Sequence, residues 1–169
     1  MGLQNFVNGF FFVYFLFIAI IIPLFDGQIV LPSWFFPKIL VEQFYQHALE
    51  NRDFLVLEKP DFLIRLTWVE LLVQWPLSIA NLYAILTNKS WFRKTCLIYG
   101  VSTATSLVAI LSEMIRSPKS NSKLVIIHAP LLVLALISIL NGLLAPPQSV
   151  SDSVDIVTSR PTIARKKKA

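Results

Sequence analysis

Runs of apolar residues long enough to cross a bilayer recur along this chain, separated by polar connectors. Spanning the hydrocarbon core takes about 20 apolar residues, and four stretches reach that length: Phe6 to Phe25, Phe62 to Leu86, Thr95 to Ile115 and Leu124 to Ala145. In the second stretch the polar residues Thr67, Glu70, Gln74, Ser78 and Asn81 recur at spacings of three and four, opposed by apolar Leu72, Ile79 and Leu86. Such spacing puts the polar set on one helical face, which predicts that this face looks into a bundle and the other at lipid. The third stretch carries its own polar row, Tyr99, Ser102, Thr103 and Ser106, with Glu113 further along, and the fourth brings His128 and Pro130 near its start.

The connectors differ in kind. The segment from Asp26 to Asp61 is too long for a simple link and too rich in aromatics for disorder, so it is expected to fold onto the bundle. Within it Pro37 can start a helix that keeps Leu40, Phe44 and Ala48 on one face, away from Glu42, Gln46 and Glu50. Either a lid or a plain surface cap fits that pattern. Short hairpins follow around Asn88 to Lys94, with Trp91 as an interface anchor, and at Arg116 to Lys123. Pro146-Pro147 stops the fourth helix. The expected organisation is a membrane domain over residues 1–145 and a disordered polar tail over 146–169.

Composition agrees with this pattern: of 169 residues, 55% are hydrophobic and 15% charged, which excludes an ordinary soluble domain. The fold class is therefore an all-α membrane protein, a four-transmembrane-helix bundle with an internal ligand pocket. No basic residue precedes the first stretch, and it is too long for a signal peptide, so it is expected to be a retained helix. The net charge of +5 comes from residues spread over loops and tail without a nucleic-acid motif, so nucleic acid is not an expected partner. Membrane topology accounts for the charge better: with both termini cytosolic, Lys89, Arg93, Lys94 and the basic tail lie inside. A single cysteine, Cys96, excludes an intrachain disulfide, and no cluster has metal-ligand spacing, so no cofactor is expected.

Chemistry concentrates on the acids. An ionisable side chain at membrane depth is costly and marks function by default, and Glu70 lies on the order of 12 Å inside its helix. Pro76 removes a backbone hydrogen bond just beyond it and favours a kink. Asp26, closing the first apolar stretch, is the natural second acid. Two carboxylates that meet in a dry site cannot both stay ionised, and such a pair suits either a counter-ion for a protonated amine or an acid/base couple acting on a double bond. Alternatively Glu70 only bonds Tyr99 or Thr103 and ties two helices together. Glu113, near a helix end, is expected to pair with Arg116 and Lys119. Trp68 and Trp75 are candidates for stacking on a cation or for lipid anchoring.

The segments Tyr14-Phe15-Leu16, Leu24-Phe25-Asp26, Glu70-Leu71-Leu72-Val73-Gln74-Trp75-Pro76, Ile98-Tyr99-Gly100-Val101-Ser102 and Ala129-Pro130-Leu131-Leu132 resemble the sigma-2 receptor (transmembrane protein 97) family of the EXPERA superfamily. The superfamily also includes the emopamil-binding sterol isomerase. The resemblance implies an endoplasmic-reticulum protein whose pocket opens towards the bilayer, with Asp26 as counter-ion for ligand amines and Glu70 hydrogen-bonded to it. It puts Gln74, Tyr99 and Thr103 at the pocket wall, and His128 where the family is expected to carry a tyrosine. It further implies a sterol, oxysterol or cationic amphiphile as ligand, the bilayer as partner, and a sterol-transport membrane protein or a second copy of the chain as further partners. On this reading no catalysis is required. A delta8-delta7 isomerase and a membrane scaffold are the alternatives. The tail lysines Lys166 and Lys167 fit a dilysine retrieval signal, or equally a basic cluster attracted to anionic lipid.

Overall fold

Pro23 and Pro76 sit inside helices rather than at their ends. In the computed structural model, which describes residues 2–119 and 122–144, the first span continues past Pro23 and Asp26 to Val30. It consists of α1 (Gly2–Ile21), one π-helical turn (Ile22–Asp26) and α2 (Gly27–Val30). Asp26 therefore lies within the first helix instead of closing it, a correction to the boundary drawn from hydropathy. Across the turn the Gly27 N–H reaches back to the Ile22 carbonyl, the wider spacing of a π-helical turn.

The long connector is helical as expected. Pro37 precedes α3 (Lys38–Glu50), and Asp53 starts α4 (Phe54–Glu58) by accepting from the N–H groups of Leu55 and Val56 at 3.1 and 3.2 Å. Lys59, held in the left-handed region at φ 46°, aims its ammonium at the carbonyls of Gln28 and Ile29 (3.1 and 3.3 Å). A cation at the C-terminal end of the first span satisfies its open carbonyls and clamps the connector to it. Phe54 and Leu55 then bury against Leu63, Ile110, Met114 and Leu124, which holds the connector over one end of the bundle.

The second span is built like the first: α5 (Asp61–Val69), a π-helical turn (Glu70–Gln74) and α6 (Trp75–Leu86). After it come α7 (Phe92–Arg116) and α8 (Ser122–Leu143), giving four helices long and apolar enough to cross a membrane, and no strand among the described residues. The polar face read from the second span is buried at Thr67, Gln74, Ser78 and Asn81, while Leu72, Ile79 and Leu86 are 68%, 46% and 68% exposed. In lipid that exposure is the expected state of an apolar face.

Packing runs from each span to the next: the first against α6, α6 against α7, and α7 most extensively against α8. Small residues allow the last contact, as membrane helices without a hydrophobic driving force between them require. A Cβ on Gly100 would lie 2.8 Å from the Ala135 carbonyl oxygen and 2.9 Å from the Ile139 nitrogen. At the end opposite the connector, Phe11, Phe15, Phe92 and Tyr99 form an aromatic core with edge-to-face contacts. The tail with Lys166 and Lys167 lies outside the described residues.

Candidate functional site

The two π-helical turns pack against each other, and each carries one of the intramembrane acids, Asp26 at the end of its turn and Glu70 at the start. Single π-helical turns inside α-helices are frequent at functional sites because they redirect side chains and open the backbone ladder. One such opening is stitched across the pair. Pro23 donates nothing to the Ala19 carbonyl four residues before it, and the Trp75 indole Nε1–H donates to that oxygen at 3.0 Å. The break in the first span is thus filled by the second.

Asp26 and Glu70 line a common cavity of about 460 Å³. Its wall is mostly apolar: Phe17, Ile21, Phe25 and Ile29 from the first span, Leu107, Ile110 and Met114 from α7, Ile127 and Leu131 from α8. The connector closes one end with Phe44, Ala48, Leu55 and Val56, and the Phe25 and Phe44 rings meet edge to face at 6.3 Å. Phe17 and Ile127, both exposed, line the cavity from the first and fourth spans. The volume falls in the range of small-molecule sites, and an apolar wall with a few polar groups is their usual composition.

Of the residues singled out from sequence, Asp26, Glu70 and His128 are brought together at this cavity. His128 Nδ1 lies 2.8 Å from the Leu124 carbonyl, an acceptor only, so Nδ1 carries the proton and Nε2 remains as the second ring nitrogen. Gln74, Tyr99 and Thr103 do not line it. Thr103 donates to Gln74 Oε1 at 3.0 Å, Gln74 Nε2 donates to Ser106 at 3.2 Å, and the Tyr99 hydroxyl bonds that of Tyr14 at 3.1 Å. These residues join the spans below the cavity, with their hydrogen-bonding capacity spent on each other.

Other expectations are corrected by specific partners. Lys119 pairs with Glu58 of α4 at 2.6 Å, not with Glu113, because α4 is folded against that end of α7. Of the two readings of Trp68 and Trp75, stacking in the site is not met, since neither lines the cavity: Trp75 is committed to Ala19, while Trp68 is exposed as the anchor reading expects. Three polar residues at the wall escaped the sequence reading of the site. Thr67 had been placed on the buried face without a role, and Asp53 is occupied as the α4 cap. His47 was legible, since it follows Phe44 by three residues and so shares the inward face of α3.

Four spans around a mostly apolar cavity, with two carboxylates on facing π-helical turns, define a multi-pass membrane protein of the internal-cavity class. Residues 35–140 match the family model EBP, described as EXPERA, the expanded EBP superfamily, and the chain belongs to that family. It is 27% identical over 150 residues to Sigma intracellular receptor 2 of Xenopus tropicalis, covering 81% of this chain and 87% of the relative. The Homo sapiens and Macaca fascicularis proteins of that name are each 33% identical over 91 residues, where the match spans about half of either partner: 53% of this chain and 52% of the relative. These matches bear out the resemblance seen in the sequence.

Proposed function

We propose that this protein is an intracellular membrane receptor that holds one sterol-like or cationic amphiphilic molecule between its spans and acts in sterol homeostasis or trafficking. The observation that carries the reading is the position of Asp26 and Glu70 together on the wall of a mostly apolar cavity. A rigid apolar body fits the wall formed by Ile21, Leu107, Ile110 and Leu131, and its amine or hydroxyl meets the acids. Asp26 supplies the counter-ion and Glu70 supports it; a charge pair formed out of water is far stronger than the same pair at the surface. The similarity to proteins named Sigma intracellular receptor 2 supports this reading. Residence in the endoplasmic reticulum with both termini cytosolic is part of the proposal.

The test is equilibrium binding of a tertiary-amine amphiphile to purified protein. Asp26→Asn is expected to lower affinity at least about a hundredfold, the effect of removing one partner of a buried charge pair, while the melting temperature in detergent holds. Unchanged affinity in a folded Asp26→Asn variant would refute the counter-ion role.

An isomerase reading is favoured by one observation, His128 on the same cavity as the two acids, which gives the site both an acid and a base. Incubation of the purified protein with delta-8 sterols decides between the two: the receptor reading predicts no turnover, and the appearance of a shifted double bond would establish the enzyme.

A further inference from the structure

A second, smaller cavity lies at the opposite face of the bundle, where the first span begins, α6 ends and α7 begins. It has a volume of about 140 Å³, and its polar lining is Asn8, Asn88, Lys89, Ser90 and Arg93 above apolar Ala84, Ile85 and Phe92. We propose that it seats the phosphate of an anionic phospholipid from the adjoining leaflet, with Lys89 and Arg93 as its charge partners.

The hairpin that carries these residues is a built turn. Asn88 sits at φ 50°, in the left-handed region that Asn tolerates, and the Lys89 N–H bonds back to the Ala84 carbonyl at 2.9 Å in the manner of a Schellman helix end. This fixes Lys89 directly over the cavity rim. The Tyr83 and Trp91 rings stack beside it at 6.4 Å, an aromatic pair of the kind found at headgroup depth.

Charge points to the sign of the occupant. Among the described residues this face holds Lys89, Arg93 and Lys94 and no acid: Glu42, Glu50, Asp53, Glu58, Asp61 and Glu113 belong to the connector and span ends on the other side, and Asp26 and Glu70 lie within the spans. Lys94 also occupies the first turn of α7, the end at which cations are disfavoured and an anion is favoured. The apolar floor distinguishes a lipid from free phosphate, because the partly buried Ile85 can receive the first acyl carbons while the cations hold the phosphate.

The experiment is native mass spectrometry of the full chain released from nanodiscs of phosphatidylcholine doped with phosphatidylglycerol. The expected result is one phosphatidylglycerol retained in preference to phosphatidylcholine, with the preference reduced about thirtyfold in Lys89→Gln/Arg93→Gln. Lys89→Arg/Arg93→Lys should keep it, and Arg52→Gln on the other face should not alter it. Equal retention of the two lipids by the unaltered chain would overturn the proposal even if the double variant fails to fold, as would undiminished preference in a folded double variant. Displacement of the lipid by inorganic phosphate at equal concentration would show a bare anion site instead.

Discussion

Trp75 carries more of the local architecture than its place in an apolar stretch suggests. Its indole N–H fills the carbonyl that Pro23 leaves open, and in lipid that carbonyl has no water to turn to. Trp75→Phe keeps the ring and removes the donor, and is expected to cost about 1–2 kcal/mol in reversible denaturation and to weaken amine binding by displacing the turn that carries Asp26. Gln74 makes a contrasting case. With its amide spent on Thr103 and Ser106, Gln74→Leu should lower stability by about 1–3 kcal/mol yet leave amphiphile affinity nearly unchanged, because the residue does not line the cavity. A large affinity loss in a folded Gln74→Leu variant would put Gln74 back at the ligand. The polar row itself was visible in the sequence, but its division between cavity and helix contact was not. Helical spacing puts Glu70 and Gln74 on one face, and which of them meets the cavity and which meets α7 depends on the placement of the neighbouring spans.

At the level of elements, the four spans and the helix after Pro37 followed from hydrophobic length and period, since burial in lipid constrains composition strongly. The continuation past Asp26 to Val30 did not. At Pro23 the open Ala19 carbonyl is met by a donor from another helix, distant in sequence. Likewise the Lys119–Glu58 pair depends on α4 folding back to the end of α7, a tertiary event that local charge spacing does not record. The α7–α8 contact is the most exacting of the interfaces. Gly100→Ala places a methyl within 3 Å of two backbone atoms of α8, neither of which can rotate away. The expected outcome is a loss of about 1–3 kcal/mol and a lower melting temperature in detergent; an unchanged melting temperature would mean that the two helices slide apart freely.

For the whole molecule, the arrangement separates two chemistries across the bilayer. The connector end holds the cavity with the acids, walled in part by α3 and α4; the hairpin end holds cations without acids among the described residues. On the proposed reading, a ligand of Asp26 and Glu70 enters from the membrane, which would select for molecules that already partition into lipid. The central claim is that this cavity retains one amphiphile. Lipid mass spectrometry on protein purified from its own membrane tests it most directly, comparing the unaltered chain with Leu107→Trp, which fills the cavity from α7. One sterol per chain in the unaltered protein and none in a folded Leu107→Trp variant is the expected result; no retained sterol, or equal amounts in both, would contradict the account.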